Sequence, residues 1–190
     1  MASKKSSPVM HVALLRGINV GKAKRIAMAD LRELCTTLGY GNVQTLLNSG
    51  NVVFSAPRAD AKAAAKIEKA IESEHGFTSR VVVVTESELD VIVRENPFEE
   101  AESNPSRFLV TVLYDGADRA RVAALAKQDW GAERLGLGKH AVYAWCPGGI
   151  LDSRMMVALG KILGDAGTSR NWATVTKLHA MMGGNSASDA

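Results

Sequence analysis

Early in the chain a cation, two glycines and an amide stand together. Arg16, Gly17, Asn19, Gly21 and Lys22 follow directly on an apolar run over residues 9–15, and Lys24 and Arg25 come just after. Residues 1–29 contain no Asp or Glu, so the positive charge of this segment is uncompensated in sequence. A strand that delivers a Gly- and Lys-rich loop to a helix offers backbone amides and cations to an anion. The chemistry this suggests is the holding of a phosphate or carboxylate. A nucleotide P-loop is excluded, because only three residues separate Gly17 from Gly21 and Ala23 stands where Ser or Thr is needed. No general base accompanies the loop, and Ser49 is the one hydroxyl with any claim as a nucleophile.

The elements that must position this loop follow from the apolar pattern. Residues 9–15 read as a buried strand, and 29–38 as a helix with Leu31, Leu34 and Leu38 on one face and Gly39 at its end. Residues 43–47 and 52–54 form a hairpin around Asn48-Ser49-Gly50-Asn51. Residues 60–75 predict a helix N-capped by Asp60 and closed by Gly76, and 80–85 a strand with four consecutive valines. The order βαββαβ is that of a ferredoxin-like unit. Its first and third strands are antiparallel neighbours, which sets Arg16, Gly17 and Asn19 beside Ser49 and Asn51 at one end of the sheet.

A second unit begins at residue 86. Helix 86–94 ends at Asn96-Pro97, strand 108–114 and helix 118–127 follow, and 133–137 with 141–146 predict a hairpin across Gly138-Lys139. Helices over 152–163 and 171–182 close the chain, with no strand evident to complete the second βαββαβ. The expected fold class is therefore α/β, of α+β type, with two ferredoxin-like halves, the second incomplete and finished by two helices. The expected division is a disordered lead over 1–8, units over 9–85 and 86–182, and a disordered tail over 183–190.

In the last helix Trp172, Val175, Leu178 and Met182 make one apolar face. Ahead of it, Thr168, Ser169 and Asn171 are N-cap types, and Arg170 is expected at the helix entrance, where an anion would find amides, hydroxyls and a guanidinium.

Composition excludes several classes. The net charge is +3 and 23% of residues are charged, too mild a balance to imply nucleic acid. Aromatics are 5% and no strand carries the paired aromatics of an RNA-binding sheet, so nucleic acid is not favoured. No apolar run is long enough for a membrane helix, and no hydrophobic signal core opens the chain. Cys35 and Cys146 lie in unrelated contexts, which fits a reducing cytoplasm. His11, His75, His140 and His179 are scattered without metal-ligand spacing, so no metal site is expected. Gly136-Leu137-Gly138-Lys139-His140-Ala141 matches GxGxxA but lies in the predicted hairpin with no helix after it, so it is not read as a dinucleotide site. No motif names a cofactor.

Three separated motifs, ALLRGINVG, NSGNVVF and TSRNWATVTKL, occur in this order over residues 11–182. Together they resemble the bacterial domain-of-unknown-function family numbered sixteen ninety-seven. The sequence departs from that family's usual pattern at Lys22-Ala23 and at Ala173. The resemblance implies a compact α/β protein built from ferredoxin-like pieces, and it implies no established activity. The leading functional expectation is a protein that binds a small phosphorylated or otherwise anionic ligand through Arg16, Gly17, Asn19, Lys22, Ser49, Asn51, Arg170 and Asn171. The alternatives are a protein–protein assembly module, including a homo-oligomer, and an enzyme acting on a phosphorylated substrate.

Overall fold

A computed structural model describes residues 7–183. Apart from residues 7, 8 and 183, the lead and the tail expected to be disordered lie outside the described residues. The chain divides into two compact units, one holding the described residues up to Glu86 with residues 181–183, the other Ser87–Ala180.

The first unit runs β1 Val9–Leu15, α1 Met28–Thr37, β2 Gly41–Leu46, β3 Asn51–Ala56, α2 Ala63–His75 and β4 Val81–Thr85. Its sheet order is β2-β3-β1-β4, antiparallel throughout, as the ferredoxin-like pattern requires. One face of the sheet, with Ala13, Leu15, Val52, Phe54 and Val81, packs on Leu31, Leu34 and Cys35 of α1 and on Ala63, Ile67 and Ile71 of α2. Val12, Leu14, Val53, Val82 and Val84 on the opposite face are buried as well. This accounts for strands that read as continuous apolar runs rather than alternating ones. Helix α2 ends where predicted, at Gly76 with φ +70°, its N–H bonded to Glu72 O. It does not begin at Asp60, however. Asp60 Oδ1 accepts from Lys62 N–H (3.0 Å), making a turn ahead of a helix that starts at Ala63.

The second unit opens with α3 Glu86–Arg94 and α4 Glu100–Ser103, then β5 Phe108–Leu113, α5 Arg119–Val122, β6 Arg134–Leu137, β7 Ala141–Trp145, α6 Arg154–Leu163, β8 Gly167–Asn171 and α7 Trp172–Met181. Two expectations are corrected here. The unit is not incomplete: residues 167–171 form a fourth strand beside β5, with Val110 opposite Arg170 and Val112 opposite Thr168, and the sheet order β6-β7-β5-β8 repeats that of the first unit. The sequence Gly-Thr-Ser-Arg-Asn carries no apolar pattern, so the strand is set by its partner. Gly167 is needed because a Cβ there would meet Val112 O at 2.8 Å. The helix expected over 118–127 is also broken, into α5 between two 3-10 turns, Gly116–Asp118 and Leu125–Lys127. Only Val122 and Leu125 of this stretch are buried, a spacing of three that gives no stripe for a longer α-helix.

Leu113, Leu135, Val142 and Ala144 pack on Met155, Leu159 and Leu163 of α6, whose Ser153 cap accepts from Met156 N–H. On the other face Phe108 stacks with Tyr143 and meets Trp172 edge-on, while Tyr143 OH donates to Ile92 O (2.7 Å). The segment 136–141 is strand and turn, as its exclusion from the dinucleotide class anticipates. No helix among the described residues is long and apolar enough to cross a membrane.

Candidate functional site

The end of β1 lies beside the start of β3, with Leu14 opposite Asn51 and Leu15 N–H bonded to Gly50 O (2.8 Å). The antiparallel topology therefore does bring the Arg16–Asn19 loop against the Ser49–Asn51 turn. What the side chains do there is more specific than proximity. Asn19 takes φ +56°, a conformation that asparagine tolerates better than most residues. Its Nδ2 donates to Ile26 O (3.0 Å) and Asn48 O (2.8 Å), and its Oδ1 accepts from Ile26 N–H (3.0 Å). It fastens both ends of the loop to the hairpin. Asn51 is fully buried and donates to Leu46 O (2.7 Å) and Ser49 Oγ (3.0 Å), which shapes the turn from within. Arg16 roots the loop through its backbone, giving its N–H to Arg80 O and accepting from Ser79 Oγ. Gly17 and Gly21 both have positive φ and open space around them. Ile18 plugs the loop into the core, so close to Gly50 that a Cβ there would lie 2.6 Å from Ile18 Cδ1.

The loop so fixed carries three exposed cations, Lys22, Lys24 and Arg25. None of them enters an ion pair among the described residues. It ends at α1, whose N-cap is Ala27, a residue with no side-chain acceptor. The N–H groups of Met28, Ala29 and Asp30 thus have no intrahelical acceptor and no capping side chain. Asn19, Arg25, Ile26, Ala27, Met28, Asp30 and Asn48 line a concavity of about 420 Å³ at this point. Arg25 and Asn48 carry no distinguishing signal in the sequence beyond the place of Arg25 in the basic run. Arg16, Gly17, Lys22, Ser49 and Asn51 do not line the concavity.

Arg170 and Asn171 belong to the second unit and are engaged there. Arg170 lies within β8 rather than at a helix entrance. It is buried and donates to Thr168 Oγ1 (3.1 Å) and Ser169 O (2.8 Å), and burial pulls its pKa down to about 10. Asn171 caps α7, its Oδ1 accepting from Thr174 N–H (2.9 Å) and Thr174 Oγ (2.7 Å).

A further polar cluster in the first unit lies where α2 approaches β1 and β3. Asp60 Oδ2 accepts from Lys66 Nζ (2.6 Å) and Tyr40 OH (3.0 Å), and Asp60 N–H donates to Nε2 of buried His11 (3.3 Å), whose ring stacks on Phe54. Burial and the bond to Asp60 push the Tyr40 phenol up, and burial pushes the Cys35 thiol up to about 12. Asp60, Lys66, Tyr40 and His11 satisfy one another, and the raised Tyr40 and Cys35 are weak as nucleophiles at neutral pH. Among the described residues no three His, Cys, Asp or Glu side chains are grouped to hold a metal ion.

Two βαββαβ units with the same strand order, the first with an elaborated basic loop ahead of its first helix, define a tandem ferredoxin-like α/β protein. The chain belongs to the family described as protein of unknown function (DUF1697), which residues 10–143 match. Its fold is similar to that of conserved bacterial protein SP0830 from Streptococcus pneumoniae, with a TM-score of 0.77 at 23% identity, over 93% of this chain and 99% of that one. At that identity the likeness is one of fold. A comparison with curated proteins found no match.

Proposed function

We propose that the protein binds a small anionic ligand in the first unit, in the concavity between the 16–27 loop and the start of α1. The observation that carries this reading is the convergence of unpaired Arg25 with the uncapped amides of α1 around a volume of about 420 Å³, within the range of small-molecule sites. A helix start favours negative charge, and a guanidinium adds a fixed fork of donors to it. Asp30, exposed in the first turn, already offsets part of that charge. The site therefore suits one anionic group placed toward Arg25 better than a polyphosphate. Asn19 serves as the clamp that holds the loop, and Lys22 and Lys24 supply attraction from the rim.

Assembly through a free sheet edge is the weaker reading. The edge strand β2 carries a register shift between Gly41 and Gln44, and Asn42 adopts φ +49°. Such a bulge works against pairing with another chain. Asp30 is the one carboxylate among the lining residues and no hydroxyl, thiol or imidazole stands with it there, so the reading is one of binding. Cys35 and Cys146 are both free and buried, which supports the cytoplasm as the compartment.

The test is a thermal-shift panel of phosphate, short carboxylates, sugar phosphates and nucleotides on wild type, Arg25→Ala and Arg16→Ala. An anion at about 100 times its dissociation constant adds about 2.7 kcal/mol, or roughly 5–10 °C for a chain of this size. The shift should disappear in Arg25→Ala and persist in Arg16→Ala. A wild type that responds to no anion, or a shift that survives in Arg25→Ala, would sink the reading.

A further inference from the structure

Among the described residues four large apolar side chains are exposed, and two of them, Leu151 at 95% and Val157 at 56%, line one groove of the second unit. Trp130, Ala158, Arg154 and Lys161 share the lining of this groove, which holds about 390 Å³. Leu151 and Val157 take no part in the core, which receives Met155, Leu159 and Leu163 from the inner face of α6. Trp130 is fixed in place, its Nε1–H donating to Leu125 O (2.9 Å). On the outer face of α6, Arg154, Val157, Gly160 and Lys161 are exposed, at spacings that keep them on one side of the helix. Gly160 has no positive φ, and nothing lies within 4 Å of a Cβ built there. Alanine would favour the helix, so nothing within this chain calls for glycine. What glycine adds on an outer face is room for a second backbone to approach. Neither Arg154 nor Lys161 enters an ion pair among the described residues. Lys161 follows Arg154 by two helical turns, about 10 Å along the axis. The amides at the start of α6 are already taken, Met155 N–H by Glu133 Oε2 (3.3 Å) and Met156 N–H by Ser153 Oγ (3.0 Å). The positive charge offered here is therefore that of the two side chains.

We propose that this groove docks an acidic amphipathic helix of a partner protein. Its apolar side chains seat among Leu151, Val157 and Trp130, and carboxylates two turns apart meet Arg154 and Lys161. Apolar area supplies the attachment and the paired charges set the register, as in other helix-in-groove contacts. The surface lies in the second unit and is independent of the anion site of the first. A second copy of this chain is a poorer occupant, because a twofold contact through the outer face of α6 would set Arg154 and Lys161 against the same two cations. An anionic bilayer is poorer too, since a walled groove with Asp152 in its lining suits an inserted side chain better than a flat negative surface.

The experiment is fluorescence anisotropy of the full chain with a labelled helical peptide of about 18 residues that repeats the pattern Glu-Ala-Ala-Leu-Leu-Ala-Ala-Glu. A second peptide carries Lys for Glu, and a third Ser for Leu. Wild type should bind the first and neither of the others. Leu151→Ser should weaken binding about tenfold. Lys161→Glu should weaken the acidic peptide at least as much and gain affinity for the Lys peptide. Gly160→Ala should raise Tm by a few degrees and still weaken the acidic peptide, which separates the docking role from any effect on folding. All of these positions are exposed, and circular dichroism checks that each variant keeps its fold. Failure of wild type to bind the acidic peptide would overturn the proposal, as would binding that Leu151→Ser and Lys161→Glu leave unchanged. Vesicles of phosphatidylserine and phosphatidylcholine that bind wild type but not Leu151→Ser, with no binding of the peptide, would overturn it in favour of a membrane surface. A dimer of wild type in sedimentation that Leu151→Ser dissociates would overturn it in favour of self-association.

Discussion

The two units share one strand order and differ in what joins the first strand to the first helix. In the first unit that connection spans residues 16–27, includes four positive-φ positions at Gly17, Asn19, Gly21 and Lys24, and delivers a ten-residue helix. In the second unit β5 passes within a few residues into short turns, of which only Arg119–Val122 is α-helical. The scaffold needs only a chain reversal at this point, as the second unit demonstrates. The longer, basic and heavily clamped connection of the first unit is therefore more than connectivity requires, and such excess on a rigid frame is where binding residues are usually carried.

The sharpest way to break the comparison is at the two hairpin turns. Gly50 combines φ +78° with contacts that place a Cβ 2.8 Å from Leu15 Cβ and 2.6 Å from Ile18 Cδ1, both core atoms. Gly138, at the equivalent turn of the second unit, would set its Cβ 2.7 Å from a Glu95 carboxylate oxygen and 2.8 Å from the Tyr143 ring, without positive φ. Gly50→Ala should cost about 3 kcal/mol or more and loosen the loop, whereas Gly138→Ala should cost about 2 kcal/mol, because Glu95 can swing away and no positive φ is violated while the buried Tyr143 ring still resists. Urea unfolding of both variants measures the difference. Equal costs would mean that Ile18 and the loop are no more tightly tied to their unit than the second turn is to its own.

The two asparagines of the candidate set make a smaller contrast. Asn19→Ala removes three side-chain hydrogen bonds and leaves alanine at φ +56°, for a loss of about 2–3 kcal/mol. Asn171→Ala removes a helix cap and should cost about 1 kcal/mol. Amide hydrogen exchange should show the loss at residues 16–27 in the first variant and at the start of α7 in the second.

These residues also show which parts of the molecule could be read from the chain. Strands made of apolar runs, the helix stripe at Leu31 and Leu34, and the glycine stop at Gly76 are legible, because burial and φ leave their mark on residue type. β8 is not, since Thr168, Ser169 and Arg170 take strand geometry from β5 and carry no periodicity of their own. The loop was legible as a place and only partly as chemistry. Asn19 and Asn51 read as ligand groups, yet the structure engages their amides in holding the backbone. Arg25, deep in a run of cations, had nothing in its spacing to set it apart from Lys22 or Lys24. The lack of a cap on α1 becomes informative only once the helix start is fixed at Met28.

A last contrast compares the polar pairs of the two units and depends on pH. Asp60 is held below its ordinary value of 3.8, first by the hydrogen bond from Lys66 Nζ, with Lys62 N–H and Tyr40 OH adding to it against the opposing effect of burial. A depressed carboxyl stabilises the fold when ionised. Its contribution is therefore complete above the unfolded value and is lost as pH falls through the folded one. Asp60→Asn should cost about 1–2 kcal/mol at pH 7, and the gap to wild type should narrow steadily below about pH 4. Lys66 is 47% exposed, so screening limits the ionic part, and raised salt should shrink only a fraction of the gap. In the second unit Glu100 pairs with Arg134, with 42% and 46% of the side chains exposed. Glu100→Gln should give a smaller loss that raised salt removes entirely. If the two variants lost equal stability with equal salt sensitivity, the Tyr40 and Lys62 bonds to Asp60 would be contributing nothing, and the Asp60 cluster would be an ordinary surface ion pair.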